Sequence, residues 1–171
     1  MAYSQYAPPR ATQDVDLVVL TEDVGKVRQL FPGGYVRGTA IAELYDFEGT
    51  HFDVQPARLR AQVATVMNAV DDTYEGEPIK VASVRDLLLL KVWAAAERHE
   101  ITQRERDKAD AMELLAYNAD KISADDIAYI ARYLLTLGFT AEEKEKYRRS
   151  VVWLNQTLDE LEMPDRKFPF E

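Results

Sequence analysis

Two aspartates, Asp14 and Asp16, open the segment DVDLVVL, which runs from Asp14 to Leu20. Its β-branched, apolar character predicts a strand. Side chains alternate along a strand, so Asp14, Asp16 and Val18 share one face and Val15, Leu17 and Val19 the other. A buried face does not normally carry two unpaired carboxylates, because desolvating charge is costly. Carboxylates so placed can share one or two Mg²⁺ ions, which prefer oxygen ligands and keep positions open for substrate phosphates. Two metals about 3.5–4 Å apart can activate an attacking oxygen and stabilise a leaving one. A third carboxylate on a neighbouring strand completes such a site. Asp53, in the apolar context HFDVQ on the next good strand, fits that role. Taken alone, a D-x-D pair is equally the exposed end of an ordinary strand.

The elements that would position these residues follow from the pattern. Glu22 to Phe31 predicts a short helix stopped by Pro32-Gly33-Gly34. Thr39 to Phe47 alternates weakly, Glu48-Gly49 makes a turn, and Thr50 to Pro56 is a second strand, so the pair predicts a hairpin. Arg58 to Val70 suits a helix, DDTYEGEP a turn region, and Ile79 to Ala82 a short strand. From Ser83 the pattern is helical, with Ser83 as N-cap and Asp86 as its capping-box partner. Three more helices are expected over Arg104 to Asn118, Ser123 to Gly138 and Thr140 to Leu161. The expected architecture is α+β: an α/β part over residues 1–82 and a helical part over 83–171, packed as one continuous unit.

Composition excludes several classes. The 171 residues contain no cysteine, which removes disulfides, thiolate zinc sites and cysteine nucleophiles. No stretch approaches the roughly 18 apolar residues of a membrane span. The N-terminus lacks an apolar signal region, so a cytoplasmic protein without membrane partners is expected. The net charge is −9, from 21 Lys+Arg against 30 Asp+Glu. Such a surface repels phosphate backbones at long range, which argues against a general nucleic-acid coat protein while leaving room for one local basic patch.

Four pieces of sequence together resemble the minimal nucleotidyltransferases of the polymerase-beta superfamily. RATQDVDLVV is similar to the R-x-T-x-D-x-D-hydrophobic motif, and FDV to the strand of the third carboxylate. VASVRDLLLLKVWAA is similar to the strand-end and helix that carry an acidic residue and then a lysine. RERDKAD resembles the R-x-K-D-x-x-D helix of AbiEii-type toxins. The pieces occur in the family's order, from about Arg10 to Leu115. The resemblance implies a small mixed β-sheet with flanking helices and a C-terminal helical bundle, with the site in the cleft between the parts. It implies Mg²⁺ or Mn²⁺ on Asp14, Asp16 and Asp53, a nucleoside triphosphate as substrate, and transfer of a nucleotidyl group to a hydroxyl of RNA, protein or a small molecule. Asp53 would also serve as base. Lys91 would meet phosphate charge, Asp107 would belong to the active site, and Arg10 and Thr12 would shape the entry to the first strand or contact phosphate. The toxin relatives raise an antitoxin as a partner.

One feature departs from the family. Its members carry a Gly-Ser or Gly-Gly turn at a helix N-terminus, about a dozen residues before the first aspartate, which cradles the triphosphate. Thirteen residues precede Asp14 here, and none is glycine. Metal binding could survive without that turn more readily than catalysis. The alternative is a degenerate, non-catalytic relative that binds a nucleotide or a protein partner.

Blander roles compete at several positions. Lys91 also suits the edge of an apolar helix, with its stem buried and its ammonium in water. Asp107 and Asp110 also suit helical ion pairing, with Arg104 and Arg106 expected to pair with Glu100 or Asp110. Asp86 is expected to cap its helix, His51 and His99 to be structural, and Trp93 and Trp153 to lie in the core. Gly33-Gly34 lacks a following Lys-Ser/Thr, so it reads as a turn.

Overall fold

The β-branched run DVDLVVL forms the first strand, β1 (Asp14–Leu20), in a computed structural model that describes residues 5–8 and 14–170, with Asp14 described in its backbone alone. A 3-10 turn, Thr21–Asp23, leads into α1 (Val24–Leu30). Three strands follow: β2 (Tyr35–Gly38), β3 (Glu43–Phe47) and β4 (Thr50–Ala57). They form a four-stranded mixed sheet in the order β1-β4-β3-β2. β1 runs parallel to β4, whereas the β4–β3 and β3–β2 pairs are antiparallel. The β3–β4 hairpin turns on Glu48 and Gly49, with φ of 51° and 80°. Two left-handed residues make the tight turn whose twist matches the flanking strands, and they set Phe47 opposite Thr50.

The core of this part lies on one sheet face. Val27 of α1, Tyr45, Phe52 and Val54 are buried there, with Val15, Leu17, Val19, Phe31 and Phe47 packed around them. Tyr45 and Phe52 stack with ring centres 5.0 Å apart, and the edge of Phe31 meets Phe52 at 4.9 Å. Offset and edge-on contacts of this kind suit the ring quadrupole.

A helix α2 (Arg60–Met67) and a separate hairpin of β5 (Val70–Tyr74) and β6 (Glu77–Val81) complete the unit. Gln62 Oε1 accepts from the Leu59 and Arg58 backbone N–H groups, which caps α2. The acidic stretch expected as a turn region is therefore mostly strand, turning at Glu75-Gly76 with φ of 52° and 88°. β2 was also not anticipated. It has four residues, all exposed, and carries no burial pattern to read.

The chain divides into two compact units between Asp86 and Leu87, in the first turn of α3 (Val84–Glu97). The second unit continues with α4 (Ile101–Tyr117), α5 (Ala124–Leu135) and α6 (Ala141–Glu160). α5 buries Ile127, Ile130, Ala131 and Leu134, and α6 buries Tyr147, Val151, Leu154 and Leu158. These spacings give each helix one apolar stripe. Both helices open with reciprocal caps. The Asp126 N–H donates to Ser123 Oγ at 3.2 Å, and the Ser123 N–H donates to Asp126 Oδ2 at 2.9 Å. Thr140 and Glu143 repeat the arrangement at α6. The C-terminal tail is pinned by Asn155, which donates to the Phe168 carbonyl at 2.8 Å and accepts from its N–H at 2.9 Å. No helix among the described residues is long and apolar enough to cross a membrane.

Candidate active site

The register of β1 on β4 decides where the expected carboxylates stand. Asp16 is the cross-strand neighbour of Asp53, and Asp14 that of His51. The flanking pairs Val15–Phe52 and Leu17–Val54 belong to the core cluster. Side chains alternate, so Asp16 and Asp53 stand side by side on the opposite face, and the Asp14 position lies on that face two residues earlier. Asp16 is exposed and Asp53 half-buried. Leu44 of β3 flanks Asp53 on its other side. Among the described residues no group of three or more His, Asp or Glu side chains is placed to hold a metal ion. Arg10 and Thr12 lie outside the described residues.

Two neighbours on this face were not anticipated as such. Asp46 of β3 pairs across the sheet with His51, whose Nδ1 lies 3.6 Å from Asp46 Oδ2. Both side chains are open to solvent, so His51 is no core residue. The signal was present in the sequence. A two-residue turn at Glu48-Gly49 places residue 47 opposite 50, and hence Asp46 opposite His51.

The second group of expected residues lies in the helical unit. Lys91 of α3 reaches two carboxylates of α4, with Nζ 2.8 Å from Asp110 Oδ2 and 3.4 Å from Asp107 Oδ1. Arg98 Nε donates to the other oxygen of Asp107 at 3.2 Å. Both aspartates are buried, at 7% and 6% exposure, which makes the ion pairs a condition of their burial. The three-residue spacing puts both on one side of α4. Asp110 thus pairs with Lys91, and Arg104 pairs with a nearby acid, its neighbour Glu105, 3.3 Å away.

Asp86 belongs to the first unit and caps α3 as expected. Its N–H donates to Ser83 Oγ at 3.2 Å, and its Oδ2 accepts from the Ser83 hydroxyl at 2.8 Å and from Asn68 Nδ2 at 3.3 Å. Trp153, expected in the core, is half-buried and lines a groove of the helical unit together with Arg104, Lys108, Lys146 and Arg149.

No family model and no curated protein matches this sequence. The structure is similar to the crystal structure of an antigenic nucleotidyltransferase-like protein from Paracoccidioides brasiliensis, with a TM-score of 0.52 at 15% identity. The likeness covers 97% of this chain and 81% of that one. At that identity it shows the fold, which is an α+β, nucleotidyltransferase-like fold.

Proposed function

We propose that this chain is a metal-dependent nucleotidyltransferase, which transfers a nucleoside monophosphate from a nucleoside triphosphate to a hydroxyl acceptor. The observation that carries the reading is the in-register pairing of Asp16 with Asp53 on the sheet face turned away from the core. The Asp14 position lies two residues along that face, and its carboxylate would be the third ligand. An all-carboxylate donor set of this kind fits Mg²⁺ or Mn²⁺, the hard cations that take oxygen ligands. The ion would neutralise triphosphate charge and polarise the α-phosphorus.

The chain's own groups then divide the remaining work. Asp53, half-buried beside Leu44, would take the proton of the acceptor hydroxyl as its oxygen bonds to the α-phosphorus. The bond from that phosphorus to the bridging oxygen breaks, and pyrophosphate leaves. Arg10 and Thr12 would contact phosphate just ahead of β1. The resemblance gives Lys91 the task of meeting phosphate charge and Asp107 an active-site place; within the helical unit itself, Asp107 lies 3.4 Å from the Lys91 ammonium. A role in toxin–antitoxin biology, with an antitoxin as partner and the cytoplasm as its setting, rests on the resemblance of RERDKAD to the toxin helix.

One observation favours a second reading. The Lys91 ammonium is already engaged by Asp110 at 2.8 Å and Asp107 at 3.4 Å. A lysine so paired suits a structural strut in a non-catalytic relative that binds a nucleotide or a protein partner.

The deciding experiment is a thermal-shift titration with Mg²⁺ and each of the four nucleoside triphosphates, on the native chain and on the D14N/D16N variant. Stabilisation by metal plus one nucleotide, lost in the variant, supports the transferase and identifies the donor for a label-transfer assay. No shift in either protein, or equal shifts in both, overturns it.

A further inference from the structure

The helical unit carries a groove of about 320 Å³ whose charge contradicts that of the chain as a whole. The chain has a net charge of −9, yet the groove is lined by four cations and no carboxylate. Arg104 and Lys108 come from α4, Lys146 and Arg149 from α6, and Trp153 of α6 lines the groove with them. Lys108 Nζ lies 5.8 Å from the centre of the Trp153 ring.

The surrounding acids neutralise only part of this charge. Glu105 serves both Arg104 and Lys108, at 3.3 and 3.2 Å, and Glu97 serves Lys146 at 2.6 Å. Arg149 is exposed and has no carboxylate partner among the described residues. Four cations against two carboxylates leave the groove positive. Its volume is at the small end of ligand pockets, which run from about 300 to 1,000 Å³.

We infer that this groove binds one nucleotide of a single-stranded nucleic acid, with the base against Trp153 and its flanking phosphates on Arg104 and Arg149. An acidic peptide would satisfy the cations and leave the indole face unused. A free nucleotide carries phosphate on one side of its base. A strand carries phosphate on both sides, and the groove offers a cation pair from each of two helices together with one aromatic ring. The groove shares no residue with the carboxylate face of the sheet, so the inference stands or falls apart from the transferase reading.

The test is fluorescence anisotropy of the full chain with a labelled single-stranded oligoribonucleotide of mixed sequence, in EDTA, which silences any metal site. Binding is expected to weaken as salt rises, to quench tryptophan fluorescence, and to fall at least about fivefold in W153A, the lower end for loss of one stacking contact. Each of R104A and R149A should flatten the salt slope by about 0.7, the share of one phosphate contact on a single strand. R148A, a charge-matched change beside Arg149 but outside the groove, should bind as the native chain does. Because Arg149 is exposed, R149A also serves where another variant fails to fold. Absence of binding at low salt overturns the inference, as does binding that R104A, R149A and R148A weaken equally. Competition by AMP or by inorganic phosphate as strong as by the oligonucleotide overturns the assignment to a strand.

Discussion

Asp16 and Asp53 stand side by side on neighbouring parallel strands, two like charges held together by the β1–β4 register. Cross-strand like charges are unfavourable by about 0.2–1 kcal/mol unless something neutralises them. Asp16→Asn should therefore do two things at once. In EDTA it should leave stability within about 1 kcal/mol of the native chain, since it removes one of two neighbouring like charges and no buried contact. If the proposed metal site holds, it should also remove the gain expected from Mg²⁺ in the native chain, about 2.7 kcal/mol at a hundredfold excess over Kd. Urea denaturation with and without Mg²⁺ reads both effects. A variant destabilised equally in the two conditions would show that Asp16 serves packing and not a cation.

Lys91 offers a sharper choice, because its two roles predict opposite rankings. Lys91→Met keeps the stem and removes the charge that Asp107 and Asp110 face inside the helical unit. Removing one cation from a buried ion-pair network costs up to about 3 kcal/mol, and Arg98, which stays on Asp107, offsets part of it. Adding Asp110→Asn should recover part of that loss, with a coupling of about 1–3 kcal/mol between the two sites. Denaturation of the two single variants and the double variant closes the cycle. If Lys91→Met instead keeps its stability and loses only nucleotide affinity, the ammonium belongs to phosphate and the strut reading is wrong.

Gly138 fixes the sharp approach of the chain to α6. Its φ is 88°, and a Cβ there would lie 2.9 Å from both Glu143 Cβ and the Lys144 backbone nitrogen. Gly138→Ala combines a left-handed backbone with a clash against backbone, so a loss of about 1–3 kcal/mol is expected. Gly25 in α1 is the contrast, since nothing lies within 4 Å of its added Cβ. Gly25→Ala should leave stability unchanged or raise it by about 0.5–1 kcal/mol, the helical advantage of alanine. Parallel melting curves compare the two, and equal effects would contradict the geometry at Gly138.

The sheet was legible where local rules fix geometry. The alternation in DVDLVVL separates Asp16 from Leu17, and the Glu48-Gly49 turn sets the β3–β4 register. The parallel pairing of β1 with β4 is a long-range choice, with α1, β2 and β3 between them in the chain, and no local pattern specifies it. β5 was obscured because VDDTY places acids where a strand usually shows apolar alternation. The groove at Trp153 was illegible for a related reason. Arg104 and Lys108 on one helix, and Arg149 and Trp153 on another, are i,i+4 pairs that look like ordinary solvated charge. Their meaning depends on two helices meeting, which the sequence of neither one states.

Glu97 gives the helical unit a pH dependence whose sign can be derived. Burial pushes its carboxyl up, but hydrogen bonds from Lys146 at 2.6 Å and from the Tyr147 hydroxyl at 2.5 Å outweigh this and hold it below its ordinary 4.5. A carboxyl depressed in the folded state contributes stability that is present above the ordinary value and lost as pH falls through the depressed one. Tyr147 is raised, by burial and by the same hydrogen bond, so it stays a neutral donor throughout. The Glu97 side chain is 38% exposed, so solvent screening limits its contribution to about 1 kcal/mol. Glu97→Gln should therefore cost about that much at neutral pH, and the gap to the native chain should close as the pH drops below 4.5. Denaturation curves of both proteins, taken from neutrality down through the carboxylate range, measure the gap directly. A gap that stays constant to the acid end would mean that Glu97 acts through shape and not through charge.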